Sequence, residues 1–325
     1  MRSRSPSSLH SGITFLFLLL LCGAQAAPER QTAQVPGYFR YAVGAFTVTA
    51  LYDGTADVPL SLLHGTSTAK MQALVARAFM TKATGVPTDV NAFLIDTGIH
   101  RVLVDAGTAQ CFGVNPNLGL LPGNLRAAGY SPDDIDIVLI THLHSDHFCG
   151  LRGAEGQRLY PKAAVWVAEE DAAYWLDEKI AAAQPENIRY AFKQAREVMG
   201  LYRDAGVLHT FKANDTILPG MRIVATHGHT PGHTAFLFES EGRSLLVFGD
   251  IVHSMPVQFS LPFVSFDSDS DPKAAVAARE KLFTQLAKDG TAFAGAHLPF
   301  PGIGHIGKDG EAYRWVPVAY GPLLQ

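Results

Sequence analysis

The segment THLHSDHFCG at 141–150 constrains this chain more than any other part of its sequence. It follows the largely apolar run IDIVLI, which is typical of a strand buried on both faces. Four side chains that commonly bind metals fall within six positions, namely His142, His144, Asp146 and His147. In an extended chain, residues two apart point to the same side, so His142 and His144 can bind one metal ion. A helix that begins after His144 would turn Asp146 and His147 toward a second ion.

Further metal-binding side chains follow three later apolar segments. They are His227, His229 and His233 in THGHTPGHT, Asp250 at the end of SLLVFGD, and His297 in TAFAGAHL. Rigid strands hold side chains in register at their ends, which is why catalytic groups collect there. Imidazole and carboxylate together favour zinc or a similar divalent ion. Packing alone explains these residues poorly, because histidine and aspartate are seldom buried without a partner.

Strands and helices mix along the rest of the chain. Two segments predict strand pairs, YFRYAVGAFTVTALYDG with a turn at Gly44 and NAFLIDTGIHRVLVDAG with a turn at 96–98. The segment EEDAAYWLDEKIAAA at 169–183 predicts one helix, and Asp271 and Gly290 predict the two ends of another. Helices in both halves and a hydrophobic content of 47% predict a single-domain α/β sandwich over 28–325.

The first 27 residues predict a secretory signal peptide. Arg2 and Arg4 precede ITFLFLLLLC, a run too short to span a bilayer, and AQA at 24–26 fits the cleavage site. We therefore expect export to the periplasm or beyond, and no membrane segment after cleavage. Cleavage leaves 24 basic and 30 acidic residues, a net charge of −6. Such a charge disfavours nucleic acid as a partner, because phosphate backbones require a basic face.

Two cysteines, Cys111 and Cys149, remain after cleavage. An oxidising compartment permits a disulfide between them. Two cysteines are too few for a disulfide framework, so a pair of buried free thiols is the favoured interpretation.

Several motifs together resemble one enzyme superfamily. H-x-H-x-D-H at 142–147 and G-H-T-P-G-H at 228–233, followed by Asp250 and His297, resemble the metallo-β-lactamase superfamily over nearly the whole mature chain. ALYDGT, NLRAAGY and AHLPFPGIGHI resemble its methyl parathion hydrolase-like and dihydrocoumarin-type lactone hydrolases. The resemblance implies an αββα sandwich, the metallo-β-lactamase fold.

The resemblance also implies two divalent metal ions per chain. Zinc is the expected metal, with manganese, cobalt and iron as alternatives. The first ion would be bound by His142, His144 and His229, the second by Asp146, His147 and His297, and Asp250 would bridge them. Two such cations generate a bridging hydroxide near neutral pH, so no serine or cysteine nucleophile is needed.

Catalytic and substrate-binding residues are implied in the same way. Asp146 and Asp250 would be catalytic, and His253, three residues after Asp250, is expected to donate a proton to the leaving group. The residues expected to contact the substrate are Leu63, Phe112, Trp175, Phe192, His253 and Phe266. Core packing is the alternative role for each aromatic side chain.

The residues expected at the mouth of the pocket predict which ester the enzyme prefers. An organophosphate-degrading member of the resembled group has Arg, Leu and Leu where this chain has Leu63, His253 and Phe266. The two rings narrow the mouth into a slot, which suits a flat aryl lactone better than a tetrahedral phosphotriester. Packing of His253 against the aromatic wall is the alternative to its proton-donor role.

We therefore expect a two-metal hydrolase that opens lactones such as dihydrocoumarin, cleaves aryl esters and hydrolyses organophosphate triesters weakly. The alternatives are a methyl parathion hydrolase-type enzyme, an acyl-homoserine lactonase and a β-lactamase. A bridging Asp250 disfavours a zinc β-lactamase, and the largely apolar C-terminal segment disfavours a glutathione thioesterase. The complete ligand set disfavours a silent binding protein. The resembled enzymes form dimers, so a homodimer is expected.

Overall fold

The computed structural model describes Arg30, Thr32 and residues 34–323. The predicted signal peptide at 1–27 lies outside this part and stays a prediction. From Pro36 onward the described chain forms one compact unit. Within the described residues, no helix combines the length and apolar character needed to cross a membrane.

The described residues contain fifteen strands and eight α-helices. The strands are β1 (Tyr38–Val43), β2 (Phe46–Val58), β3 (Leu63–His64), β4 (Val86–Asp96), β5 (Arg101–Val104), β6 (Ile137–Leu139), β7 (Ala164–Ala168), β8 (Leu208–Phe211), β9 (Met221–Ala225), β10 (Thr234–Ser240), β11 (Arg243–Val247), β12 (Ser265–Phe266), β13 (Ala292–Ala294), β14 (Ile303–Asp309) and β15 (Ala312–Pro317). The helices are α1 (Thr68–Arg77), α2 (Leu121–Ala127), α3 (Ser145–Phe148), α4 (Glu169–Trp175), α5 (Glu178–Ala183), α6 (Glu186–Arg203), α7 (Met255–Gln258) and α8 (Pro272–Asp289).

The strands form two large sheets and one small one. The first sheet has the order β1-β2-β4-β5-β6-β7-β8, the second has the order β15-β14-β13-β11-β10-β9, and β3 pairs with β12. Strands β5 to β8 pair in parallel in the first sheet, as do β11 and β13 in the second. The loops after neighbouring parallel strands therefore meet at one edge of each sheet.

Three apolar layers hold the sandwich together. Phe93 and Val104 of the first sheet pack between the sheets with Phe236 and Val247 of the second. Helices α2 and α6 cover the outer face of the first sheet, and α8 covers that of the second. Full burial of an aromatic or aliphatic side chain contributes about 1.5–3 kcal/mol, so the middle layer is a large source of stability. The αββα prediction is confirmed.

The single helix predicted over 169–183 is wrong, because two helices occupy this segment. Asp177 lies between α4 and α5 in an extended conformation and accepts hydrogen bonds from the backbone N–H groups of Lys179 and Ile180. A short carboxylate competes for backbone donors in this way, which favours aspartate at helix N-caps over helix interiors. Helix α8, in contrast, begins after Asp271 and ends at Gly290 as predicted.

The cysteines form a disulfide, which corrects the expectation of free thiols. Their Cα atoms lie 6.1 Å apart, although 38 residues separate them along the chain. That distance falls within the range that a disulfide bridges. The loop after β5 carries Cys111 and packs against α3, next to which Cys149 lies. This long-range contact has no signature in the local sequence.

Candidate metal centre

The seven predicted ligands come together from four loops, each of which follows a strand. The loop after β6 carries four of them, the β9–β10 loop carries His229, and Asp250 and His297 follow β11 and β13. They form two groups that share Asp250, and each group can hold a metal ion. We name them the first ligand group (His142, His144, His229 and Asp250) and the second ligand group (Asp146, His147, His297 and Asp250).

In the first ligand group, three imidazoles face one another. His144 Nδ1 lies 3.1 Å from His142 Nε2 and 2.9 Å from His229 Nε2. Asp250 Oδ2 lies 3.3 Å from His229 Nε2 and 3.5 Å from His142 Nε2. Ring nitrogens that converge at these distances can direct their lone pairs at a shared cation.

In the second ligand group, two carboxylates face two imidazoles. Asp250 Oδ1 lies 3.2 Å from His147 Nε2, and Asp250 Oδ2 lies 3.1 Å from His297 Nε2. Asp146 Oδ2 lies 3.5 Å from His147 Nε2 and 3.3 Å from His297 Nε2. Since Asp250 faces both groups, its carboxylate can bridge two ions.

Two buried atoms of the site test whether metal ions fit these residues. His147 Nε2 and Asp250 Oδ1 are both buried without a hydrogen-bond partner among the described residues, although they lie near each other. A buried polar atom without a partner costs about 1–3 kcal/mol. A divalent cation would satisfy both atoms, and the mixed nitrogen and oxygen donors suit such an ion. The residues therefore fit a pair of divalent metal ions.

Four of the histidines are oriented through the ring nitrogen that faces away from the centre. Their Nδ1 atoms lie 2.8–3.0 Å from oxygen partners outside the two groups. The partners are Thr141 Oγ1 for His142, Asp105 for His147, Asp269 for His229 and the backbone oxygen of Asp89 for His297. Such contacts fix the tautomer and present Nε2 to the metal.

Two further aspartates connect the loops. Asp105 follows β5 with a positive φ of 62° and accepts hydrogen bonds from the backbone N–H and the hydroxyl of Thr141. Asp171 of α4 accepts the N–H groups of Leu143 and Gly232, which joins the two histidine-bearing loops. Sequence reasoning missed both. The acid directly after the strand RVLV was a usable signal for Asp105, whereas Asp171 had none.

His233 supports Asp250 and does not belong to either ligand group. Its Nε2 accepts the backbone N–H of Asp250 at 3.0 Å, and its Nδ1 lies 2.7 Å from Thr226 Oγ1. Burial lowers the pKa of His233 to about 3, so the ring is neutral and can accept this hydrogen bond. His233 therefore orients the bridging residue and leaves metal binding to His229 of the same motif.

The carboxylates set the charge of the centre. Burial acts to raise the pKa of Asp250, but His147 and His297 outweigh it and hold that pKa well below its usual range. Burial acts to lower the pKa of His297, but Asp250 and Asp146 outweigh it and raise that pKa to about 10. In the first ligand group, burial and the nearby His147 lower the pKa of His142. Burial acts to lower the pKa of His229, but Asp250 and Asp269 outweigh it and raise that pKa. Protons would therefore compete with a metal ion in both ligand groups.

His253 and Phe266 form a stacked pair of rings beside the centre, which we name the substrate wall. Their rings stack with centroids 4.1 Å apart and planes 14° apart. His253 Nε2 lies 3.1 Å from Asp250 Oδ2, and Leu63 pairs with Phe266 between β3 and β12. Burial lowers the pKa of His253 to about 4, so the ring carries no extra proton at pH 7. This favours the wall role of His253 over its expected role as proton donor.

The other predicted pocket residues lie at different depths. Trp175 meets the ring of His144 edge-on at 5.2 Å, so it borders the first ligand group. Phe192 lies 4.5 Å behind Trp175 and is fully buried in the helix-side core, where it supports Trp175 and offers no surface to a substrate. Phe112 is 57% exposed on the loop after β5.

Two buried polar residues that sequence reasoning missed anchor the substrate wall. Gln258 accepts the backbone N–H of His253 at 2.7 Å and donates to the backbone oxygen of Val264 at 3.0 Å. Arg279 of α8 donates to the backbone oxygens of Ile251 and Val264. An arginine on a helix usually faces solvent, so its spacing in the sequence gave no signal of this role.

Comparison with known proteins agrees with this fold. The family model described as the metallo-beta-lactamase superfamily matches residues 85–297. A solved structure of hydrolase AbOPH in the beta lactamase superfamily is 38% identical, with a TM-score of 0.85, and the match covers 89% of this chain and 100% of that one.

Two lactonases are more distant. An N-acyl homoserine lactonase from Bacillus sp is 27% identical over 198 residues, which cover 54% of this chain and 70% of that protein. AidC, a dizinc quorum-quenching lactonase, is 24% identical with a TM-score of 0.80, over 88% of this chain and 99% of its own, and it shows the fold alone. The extent of the family match decides the assignment: this chain belongs to the metallo-beta-lactamase superfamily.

Proposed function

We propose that this protein is a two-metal hydrolase that opens aryl lactones such as dihydrocoumarin and cleaves aryl esters, with weak organophosphate triesterase activity. The observation that carries the proposal is the single buried carboxylate, Asp250, which faces both ligand groups and also lies 3.1 Å from the substrate wall. Zinc is the proposed metal, because it binds imidazole and carboxylate together: the first ligand group offers three histidines and one carboxylate, and the second offers two of each.

The chain's own residues provide the charge, the ligand orientation and the burial that this chemistry needs. When bound, a pair of divalent cations supplies Lewis acidity and generates hydroxide from water near neutral pH. Asp250 and Asp146 contribute the negative charge that holds cations in a buried site. Asp105 and Asp269 keep the ring nitrogens of His147 and His229 pointed inward. Burial of the ligands keeps bulk water away from the reacting centre.

The shape of the substrate wall supports a flat substrate. Two parallel rings, stacked with a 14° interplanar angle, fill space beside Asp250 and narrow the approach to it. A flat fused aryl lactone would fit into such a narrowed approach with its ester carbonyl toward the ligand groups. A phosphotriester carries three substituents around a tetrahedral phosphorus, so it needs more width at the same place.

An acyl-homoserine lactonase is the second candidate. Curated relatives with this activity cover up to 61% of this chain, at 25–27% identity. The bond that opens is also a lactone ester, so the metal centre serves both reactions. The two candidates differ in the group attached to the lactone ring of the substrate. An aryl lactone carries a fused aromatic ring, whereas an acyl-homoserine lactone carries a flexible acylamino chain.

Export and dimer formation complete the proposal. The basic start and apolar run of residues 1–27 support export, and the disulfide supports it because disulfides persist in oxidising compartments. N-terminal sequencing of secreted or periplasmic protein should begin at Ala27 or Pro28, and an intact Met1 in a cytosolic fraction would rule export out. Light scattering should give twice the mass of one chain for a homodimer, and the mass of one chain would contradict it.

A panel of substrates tests the function. Metal-loaded protein should be assayed with dihydrocoumarin, an acyl-homoserine lactone, an aryl acetate, nitrocefin and methyl paraoxon. We expect the highest kcat/KM with dihydrocoumarin and the aryl acetate, and loss of all activities after chelation. A preference for methyl paraoxon would overturn the substrate assignment, and full activity without metal would overturn the mechanism.

A further inference from the structure

The Cys111–Cys149 disulfide lies next to the second ligand group but supplies no ligand to it. Cys149 is the C-cap of α3, the one-turn helix that carries Asp146 and His147, and its backbone N–H donates to the carbonyl oxygen of Ser145. Cys111 lies 38 residues earlier, on the loop that follows β5. The disulfide therefore joins this loop to the helix that presents two of the ligands.

Cys111 holds both ends of α3. At the C-terminal end the connection is the disulfide. At the N-terminal end, Gln194 donates to the backbone oxygen of Cys111 at 2.9 Å and accepts the hydroxyl of Ser145 at 2.7 Å. All four side chains are buried. A closed ring of contacts thus runs from Ser145 through Gln194 and Cys111 to Cys149 and back to Ser145.

Helix α3 has little intrinsic stability of its own. It has four residues, and its N-cap, His144, forms no side-chain capping hydrogen bond. Helices this short do not persist in water without tertiary contacts. Two further backbone contacts come from the loop that Cys111 anchors: Ala106 donates to the carbonyl oxygen of His147, and Gly107 accepts the N–H of Gly150. Loop and helix therefore hold each other in place.

Of the first ligand group, only His144, the N-cap of α3, adjoins this ring of contacts. Thr141 and Asp269 orient His142 and His229, and Asp171 joins the loops that carry them. None of these contacts involves either cysteine. Loss of the disulfide should consequently act on one ligand group and spare the other.

The disulfide lies close to solvent. Both cysteines line a cavity of about 420 Å³, together with the exposed side chains of Arg126 and Val114. Val114, three residues beyond Cys111, is 94% exposed, so this part of the loop does not cover the cavity. This cavity gives a small reductant a route toward Cys111, which is 7% exposed, whereas Cys149 is 1% exposed.

We propose that the disulfide is a redox-sensitive support for the second ligand group, with Cys111 and Cys149 as positioning residues; this inference rests on the two-metal centre proposed above. A dithiol transfers two electrons and two protons to the S–S bond, which becomes two thiols, while the dithiol becomes a cyclic disulfide. Freed from Cys149, the loop and α3 separate, and the site formed by Asp146, His147 and His297 loses its metal ion. The ion at the first ligand group remains.

Native mass spectrometry of metal-loaded protein tests this inference. The protein is measured oxidised, after anaerobic reduction and removal of the dithiol, and after reoxidation. We expect two ions per chain, then one, then two again when metal is resupplied. The matched control is Cys111→Ser combined with Cys149→Ser, which should hold one ion with or without dithiol treatment. This control separates loss of the disulfide from extraction of metal by the dithiol.

Each other outcome identifies what has failed. Two ions in the reduced protein, or in the double variant, would overturn the inference and leave the two-metal centre intact. Loss of both ions on reduction would also overturn it, because the support would not be specific to one group. Fewer than two ions in the oxidised protein would contradict the two-metal centre itself.

Hydrogen exchange on the wild-type protein provides a measurement that does not depend on the folding of the variant. Metal-free protein should exchange faster after reduction at 105–119 and 145–151, with the rest of the chain unchanged. Unchanged exchange in these segments, or a uniform increase along the chain, would overturn the inference.

Discussion

The metal centre and the substrate wall both border Asp250, yet different parts of the fold support them. The centre draws ligands from four loops of both large sheets, and buried hydrogen bonds orient four of its histidines. The wall comes from one loop and the two-stranded sheet of β3 and β12. The proposed metal chemistry therefore depends on the whole sandwich, whereas the proposed substrate preference depends on a local segment. Substitutions in the two regions should have separable effects.

The largest expected effect comes from Asp250→Asn. This change removes the one charge that faces both ligand groups, and it leaves the size of the side chain unchanged. We expect kcat/KM to fall at least about 100-fold for every substrate, because loss of a supporting contact alone costs 10–100-fold. Steady-state kinetics on dihydrocoumarin and an aryl acetate measure this. Activity within a few-fold of wild type would show that Asp250 does not bridge a metal pair.

A smaller effect on the same region is expected from Asp105→Asn. Asp105 orients His147 and is hydrogen bonded to Thr141, but it belongs to neither ligand group. Metal affinity should fall about 10–100-fold. Asp267→Asn is the matched control, since Asp267 is exposed and pairs with His64. Competition with a chelator of known affinity measures the change, and equal affinities in the two variants would contradict this role.

Substitutions in the substrate wall should change the substrate preference and leave metal binding intact. Replacing His253 and Phe266 together by leucine removes both stacked rings. We expect the ratio of kcat/KM for dihydrocoumarin to that for methyl paraoxon to fall roughly 10-fold, the usual size of a pocket-shape effect. Metal content should stay unchanged. An unchanged ratio would show that the wall does not select the substrate.

Much of the fold and of the centre could be predicted because the signals are local. The ligands at 142–147 and at the ends of later strands each lie in one short stretch of sequence. The mixture of strands and helices predicts an α/β sandwich, and the family resemblance implies the αββα order. Residues that act across the fold have no such stretch. Asp171 joins two ligand loops, Arg279 reaches the wall from α8, and Cys111 meets Cys149 only after the sheet has formed. The roles of these residues depend on their burial and on their partners in the folded protein, which their spacing in the sequence does not reveal.

The smallest expected effect concerns protons at the metal centre. Burial opposes protonation of His297, but Asp250 and Asp146 outweigh it and raise the pKa to about 10 in the metal-free protein. Metal binding at pH 7 should therefore release a proton, and affinity should rise with pH. The protonated ring stabilises the metal-free fold below the unfolded pKa of about 6.5, and that stability is lost as the pH rises through about 10. Zinc titration in weak buffer with an indicator measures the release, and no release at pH 7 would contradict this charge state.

A crystal structure of zinc-loaded protein, with the ions located by anomalous scattering, tests the two-metal centre directly. We expect two peaks about 3.5–4 Å apart, as in other two-metal sites, with the carboxylate of Asp250 between them. His142, His144 and His229 should surround one peak, and Asp146, His147 and His297 should surround the other. A single peak, or two peaks that do not share Asp250, would contradict the two-metal centre.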